Sequence, residues 1–205
     1  AADAVLVPLR PRLTRPSPDL PGVIRKRGST RRFADKAIDL ETLSLLLHLG
    51  TRPLLADYRR PEEPPLVECW VIVHAAEGVP PGAYVYDRRR TALDRVRAGA
   101  FRREAAMLDL GQDLAGDASV NLADLDAVTA RYGERGYRAA QLEAAVGAGR
   151  MYLTAYALGV GATGLTFFDD DVTAFFGPRA AGKSVMFLLA AGVPRRARRA
   201  GETPS

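Results

Sequence analysis

One cysteine, two histidines and one tryptophan are all that this 205-residue chain holds of three residue types on which whole classes of function are built. With Cys69 alone, inside an apolar run, no disulfide framework can form within the chain, and a reducing cytoplasm is the expected compartment. Clustered histidines, paired carboxylates and a nucleophile triad are all missing, so no metal site and no hydrolytic centre is expected. Long apolar runs are scarce as well. The longest uncharged stretch, Met151 to Phe168, only reaches the lower limit of a membrane span. It holds three glycines and three threonines and changes periodicity at Gly159, which predicts a buried helix followed by a buried strand. The opening AADAVLVPLRPRL is too briefly apolar, and too soon broken by proline and arginine, to read as a signal peptide.

What the chain has in excess is arginine. The net charge of +5 gathers at 25–32, 88–97, 102–103 and 195–199. Acids alternate with these clusters and no aromatics are interleaved among them, which argues against a nucleic-acid platform. Arginine is the side chain for anionic oxygens in general. A hydrophobic content of 47% is ample for one core.

Taken in order, residues 1–17, with Pro8, Pro11 and Pro16, predict an arm or linker packed on or trailing from a domain over 18–196, with a basic tail at 197–205. Pro21 opens a short helix that delivers the chain to RGSTRRF. An extended backbone there sets Arg27, Ser29 and Arg31 on one side, a phosphate clamp by chemistry and otherwise a solvated basic loop. Asp39 caps a helix with apolar positions Leu40, Leu43, Leu46 and Leu47, ending at Gly50; His48 beside that stripe reads as a core-edge imidazole. A long loop fills 51–65. LVECWVIVH and AYVYD are strands, 101–114 and 124–131 helices, and 118–121 a brief strand. Gly136 to Leu158 predicts a long central helix whose Ala and Gly positions permit close approach of another backbone, as at a subunit interface.

Two strings resemble nucleotide fingerprints. Gly159 to Gly164, GVGATG, matches the dinucleotide pattern, but a helix precedes it and the strand-like LTFF follows, the reverse of what that mechanism needs. Gly177 to Ser184, GPRAAGKS, matches the P-loop pattern, yet VMFLLAAG after it reads as a core strand where a helix N-terminus is required. A P-loop nucleotide-binding protein is therefore the runner-up in class, and a surface loop the favoured reading.

Together, RGSTRRF, GAYVYD, the stretch RYGERGYRAAQLEAAVGAGRMYLTAYALGVGATGLTFFDDD and the terminal VMFLLAAGVPRR resemble the nitroreductase superfamily, and within it the SagB-type oxidoreductases that include azoline oxidases. The resemblance implies an α+β fold, a mixed sheet wrapped by helices, dimeric through the long central helix, with FMN at the interface. It places Arg27, Gly28, Ser29 and Arg31 at the phosphate and ribityl chain, Gly164, Leu165 and Thr166 beside the flavin ring, and Arg195 or Arg196 at the phosphate. It further implies NAD(P)H or a substrate heterocycle as electron donor, a small-molecule or peptide-heterocycle substrate, and either a homodimer or one half of a tandem pseudo-dimer. Two departures stand out. Arg131-Tyr132 occupies the place of a Lys-Tyr pair, and arginine cannot act as a neutral base; Tyr132 is left as a proton donor, a substrate contact or a packing tyrosine. The 51–65 loop also lacks the family's serine- and glycine-rich string, which keeps a non-catalytic flavin-binding or dimerisation module open as the alternative.

Overall fold

The apolar run beginning at Leu66 becomes a strand buried on both faces, and the remaining elements are layered around it. A computed structural model describes residues 5–12, 14, 18–60, 62–108 and 117–195. Along the chain lie β1 (Leu6–Pro8), α1 (Leu20–Lys26), α2 (Leu40–Gly50), β2 (Glu68–Val73), β3 (Gly82–Asp87), β4 (Ala92–Ala98) and α3 (Arg102–Leu108). There follow β5 (Asp117–Ala123), α4 (Leu125–Tyr132), α5 (Arg135–Ala157), β6 (Gly161–Gly164), α6 (Asp169–Phe176) and β7 (Ser184–Gly192).

The seven strands form one sheet in the order β1-β4-β3-β2-β5-β7-β6. Every pairing between them is antiparallel, so the α+β class holds while the expected mixed sheet is corrected to an antiparallel one. The connections joining β2, β3 and β4, residues 74–81 and 88–91, are too short for a parallel crossover and leave antiparallel neighbours. On β2 the alternation is plain: Cys69, Val71 and Val73 enter a cluster with α2 and α5, whereas Trp70 and Ile72 enter one with α3 and α6. Helices thus cover both faces, which is why the strand reads as a continuous apolar run.

Three helices carry aspartate caps, the one at Asp39 as the sequence reads and those at Asp19 and Asp124 added by the structure. Asp39 Oδ1 accepts from Thr42 N at 2.6 Å, Asp19 from Gly22 N at 2.8 Å and Asp124 from Ala127 N at 2.9 Å. Each is worth about 1 kcal/mol. The acidic start of α6 suits a helix N-terminus, and Asp169 Oδ1 also accepts from Val185 N at 2.7 Å, tying α6 to β7.

Several expectations shift. The proline-bearing arm is packed on the body: β1 pairs with β4 at the sheet edge, and Leu9 is buried. β4 itself lay within an arginine cluster and is a full strand. The strand after α5 is GATG, with Leu165 to Phe168 irregular, because Gly159 at φ +79° turns the chain out of the helix so abruptly that pairing with β7 starts at Gly161. Of the 101–114 helix the described part is α3, and 109–116, like Arg196 and the 197–205 tail, falls outside the described residues. GPRAAGKS leads into β7, not a helix, and Lys183 Nζ pairs with Glu68 at 3.0 Å.

The small residues of α5 serve first a crossing inside this chain. A Cβ on Gly147 would lie 2.9 Å from the Gly50 carbonyl oxygen, so α2 and α5 touch backbone to backbone. Leu142, Ala145 and Gly149 remain on the exposed side. Gly147→Ala is expected to cost about 1–3 kcal/mol through overpacking. Gly149→Ala, where an added Cβ meets nothing within 4 Å, should instead gain about 0.5–1 kcal/mol. Urea unfolding of the pair checks this, and equal midpoints would refute the crossing.

At the end of β2, burial first and the Arg102 guanidinium second lower the His74 imidazole from 6.5 to about 4. The fold thus favours neutral His74. Its contribution is complete above pH 6.5 and is lost, by about 3 kcal/mol, as the pH falls to about 4. Denaturation midpoints measured between pH 7 and 4 should show this slope in the native chain and a much shallower one in His74→Gln.

Candidate functional site

The loop at 27–32 begins where α1 ends, with Arg27 N donating to Val23 O at 2.8 Å and Arg27 itself extended at φ −63°, ψ 146°. It is stitched down on two sides. Thr30 N donates to Ala162 O at 3.0 Å, on β6, and Arg195 N donates to Arg32 O at 2.9 Å, just beyond β7. A bridge between Phe33 and Pro194 and a bond from Ala34 N to Val193 O continue the second seam. The predicted N-terminal and C-terminal arginines are therefore on neighbouring strands of chain.

Arg27, Gly28, Ser29, Arg31 and Arg195 are all exposed. Among the described residues none of the three guanidiniums makes a salt bridge. Their fork donors and the Ser29 hydroxyl are uncommitted, a donor set chemically suited to a phosphate. Arg196, the other predicted phosphate ligand, is not among the described residues.

The second predicted stretch runs off the sheet edge nearby. Gly164 and Thr166 are exposed and Leu165 is half-buried, with Leu165 N donating to Leu188 O at 3.0 Å. Gly164 N donates to the Tyr152 hydroxyl at 2.5 Å. One turn further along α5, the Tyr156 hydroxyl shares a hydrogen bond with Thr30 Oγ1 at 3.1 Å. Two tyrosines at i and i+4 thus fasten both predicted cofactor-contacting stretches to one helix end. Sequence reasoning passed over them because they sit in an uncharged run; the i, i+4 spacing just before a glycine turn was the available signal.

Tyr132 is elsewhere. It precedes α5, whose 23 residues rise about 34 Å before the helix reaches the Tyr156 end, so within one chain the structure separates Tyr132 from the 27–31 loop. Its hydroxyl is buried without a hydrogen-bond partner, and its ring stands edge-on to Tyr58 with centroids 6.4 Å apart. Arg131 lies 4.9 Å from that ring and pairs with Glu63 at 2.5 Å, a bond that raises the guanidinium pKa further. Buried Arg59 ties the 51–65 loop to itself, donating to Glu63 O at 2.6 Å and Leu54 O at 2.8 Å. Burial first, and Glu143 second, push the Tyr58 phenol up. His48 bonds Tyr86 at 3.3 Å and is lowered by burial, then by Arg88 and Arg52, as fits a core-edge imidazole.

A cavity of about 420 Å³ lies between α2, α5 and the sheet, and none of the predicted site residues lines it. Among the described residues no cluster could hold a metal ion, and no helix is long and apolar enough to cross a membrane.

Comparison with known proteins gives these features a setting. The model of the Nitroreductase family matches residues 24–192. A Methanocaldococcus jannaschii protein assigned by name to the nitroreductases is 28% identical over 163 residues, 75% of this chain and 81% of its own. A solved structure from Anabaena variabilis, also named for a nitroreductase, superposes with a TM-score of 0.77 at 29% identity over 86% of this chain. The chain spans only 38% of that protein's length. Two more distant structures share the fold. One is the Escherichia coli microcin synthetase McbBCD complex with a truncated pro-peptide (TM-score 0.66, 18% identity, 93% of this chain and 78% of the other). The other is a Desulfovibrio desulfuricans protein named for a nitroreductase and solved with FMN (0.56, 20%, 92% and 94%).

The tyrosine fastening makes its own prediction. Tyr156→Phe leaves the part-buried Thr30 hydroxyl without its partner and should lower stability by about 1 kcal/mol, read from unfolding midpoints. A change below about 0.3 kcal/mol would show that the loop is held by its backbone seams alone.

Proposed function

The chain belongs to the nitroreductase family, and on that premise we propose that this oxidoreductase is FMN-dependent and SagB-like. FMN, when bound, would supply two-electron chemistry for a ping-pong exchange between a reduced nicotinamide or a peptide heterocycle and an acceptor. The chain's own part is to bind and orient. Arg27, Ser29 and Arg31, joined by Arg195 or Arg196, would hold the phosphate, and Gly28 keeps that approach free of a side chain. Gly164, Leu165 and Thr166, fixed by Tyr152, would lie along the ring.

The observation that carries this reading is an exposed loop bearing two uncommitted guanidiniums and a hydroxyl, pinned to β6 and, by the Arg195 N to Arg32 O bond, to the segment after β7 that carries a third. A phosphate dianion would find several charge-assisted hydrogen bonds there at little reorganisation cost. The exposed side of α5, with Leu142 50% exposed beside Ala145 and Gly149, is the face we assign to a second copy or to the other half of a tandem protein. The fit to the Anabaena chain over 38% of its length favours weighing the tandem arrangement. The fold shared with a peptide-modifying synthetase motivates a peptide-heterocycle substrate beside small molecules.

A second reading has an observation of its own. Arg131 pairs with Glu63, and Tyr132 sits at the far end of α5, so neither member of that pair offers a base for azoline-type proton abstraction beside this chain's own 27–31 loop. Any role of Tyr132 would have to be exercised on a partner's flavin. A flavin-binding module without turnover follows if no such partner site forms.

The absorption spectrum of the protein as isolated tests the cofactor. Yellow protein, or uptake of added FMN with quenching of its fluorescence, is expected. Arg27→Ala should weaken FMN by about 10- to 100-fold, the loss of one charged hydrogen bond. Colourless protein that ignores added FMN refutes the proposal; bound flavin that NADPH does not reduce, with no turnover of nitroaromatics, selects the non-catalytic module.

A further inference from the structure

We propose that the cavity beneath the 51–65 loop binds a small organic carboxylate, an apolar body carrying a single negative charge. None of the residues assigned to flavin lines it, and the proposal does not rest on that assignment. At about 420 Å³ it falls in the range of small-molecule pockets.

Its polar end is cationic. Arg52, Arg88 and Arg150 line it, and among the described residues none forms a salt bridge. The acids on the same wall are engaged elsewhere: Asp94 with Arg179 at 2.7 Å, Glu68 with Lys183 at 3.0 Å, Asp87 with Arg90 at 3.5 Å. Arg88 donates to His48 O at 2.5 Å and to Thr51 Oγ1 at 3.2 Å, and Arg150 donates to Arg52 O. Those bonds cap the end of α2, yet each guanidinium has five N–H donors, so several stay uncommitted.

Capping does not account for a second feature. Asn121, only 4% exposed, lines the cavity, and its amide nitrogen has no hydrogen-bond partner among the described residues. A buried donor without a partner is rare enough to call for one, and an acceptor within the cavity would supply it.

The remaining acid sets the ligand's charge. Glu143, 7% exposed, accepts from Leu66 N at 3.1 Å and forms no ion pair among the described residues. Burial pushes its carboxyl up, but whatever charge it keeps opposes a dianion. One carboxylate, gripped by a guanidinium fork, is therefore better suited than a phosphate. Val67, Cys69 and Tyr86 supply apolar wall for the ligand's body.

Calorimetric titration of the full chain with benzoate tests the site, with benzamide and phenyl phosphate compared, each without added FMN and at saturating FMN. Benzoate should bind at least about tenfold more tightly than either analogue, at an affinity that FMN leaves unchanged. Arg52→Gln, at an exposed side chain, should weaken benzoate by about tenfold. Val67→Trp should fill the cavity and abolish binding; if that variant fails to fold, Arg52→Gln carries the test. No benzoate binding, equal binding of benzamide, displacement by FMN, or indifference to both substitutions would each overturn the assignment. Loss of FMN binding without loss of benzoate would instead count against the flavin reading alone.

Discussion

Everything in this chain depends on one contact, the passage of α5 across the end of α2 at Gly50 and Gly147. Two helix backbones can come that close only where both positions lack a side chain, and a Cβ on either would meet the other helix. The crossing fixes α5 along the sheet, and because a helix is stiff, both its ends are then placed. At one end Tyr152 reaches Gly164 and Tyr156 reaches Thr30 in the 27–32 loop. On the face of the crossing itself, Glu143 and Arg150 stand four residues before and three after Gly147, the spacing that keeps all three in line. They bond Leu66 N and Arg52 O, so the same face that makes the crossing also holds the 51–65 loop over the cavity.

How much of this was readable depended on whether a residue's role was local. The cap at Asp39, the helix beginning at Asp124, the stripe of α2 and the length of α5 follow from local pattern, and the structure has them within a residue or two. β4 was hidden because arginine there does the work of an apolar residue. Arg97 lays its guanidinium 4.6 Å from the rings of both Phe101 and Phe175 and donates to Phe175 O at 2.6 Å, which no hydropathy pattern reveals. The strand after α5 was placed four residues late because β-rich LTFF outweighs GATG by propensity. What decides is the turn at Gly159, with Gly161 passing so close under Thr30 that a side chain would overlap its hydroxyl.

For the candidate site, the sequence offered residue types suited to an anion in RGSTRRF, and the structure adds the seam that joins this loop to Arg195, more than 160 residues away. Tyr132 shows the limit. Its chain neighbour and its place ahead of α5 are sequence facts, but its separation from the loop is a property of the whole helix, and its packing against Tyr58 depends on a loop that buried Arg59 knots onto itself.

Motif strings fail here for a physical reason worth stating generally. A phosphate cradle works because a strand delivers glycine-bearing backbone to a helix N-terminus, whose free amides then face the anion. GPRAAGKS runs from helix to strand, so its amides are spent on a turn and on β7, and its lysine is held by Glu68. The arginines sort by the same criterion of what is already bound. Arg59 and Arg97 donate to carbonyls within the fold, and Arg131 and Arg179 pair with acids. Arg27, Arg31 and Arg195 do neither among the described residues. The same holds of Arg25, Arg32 and Arg138, so neither the abundance of arginine nor the lack of an internal partner singles out a site; what sets the 27–32 loop apart is the pair of backbone seams tying it to β6 and to Arg195.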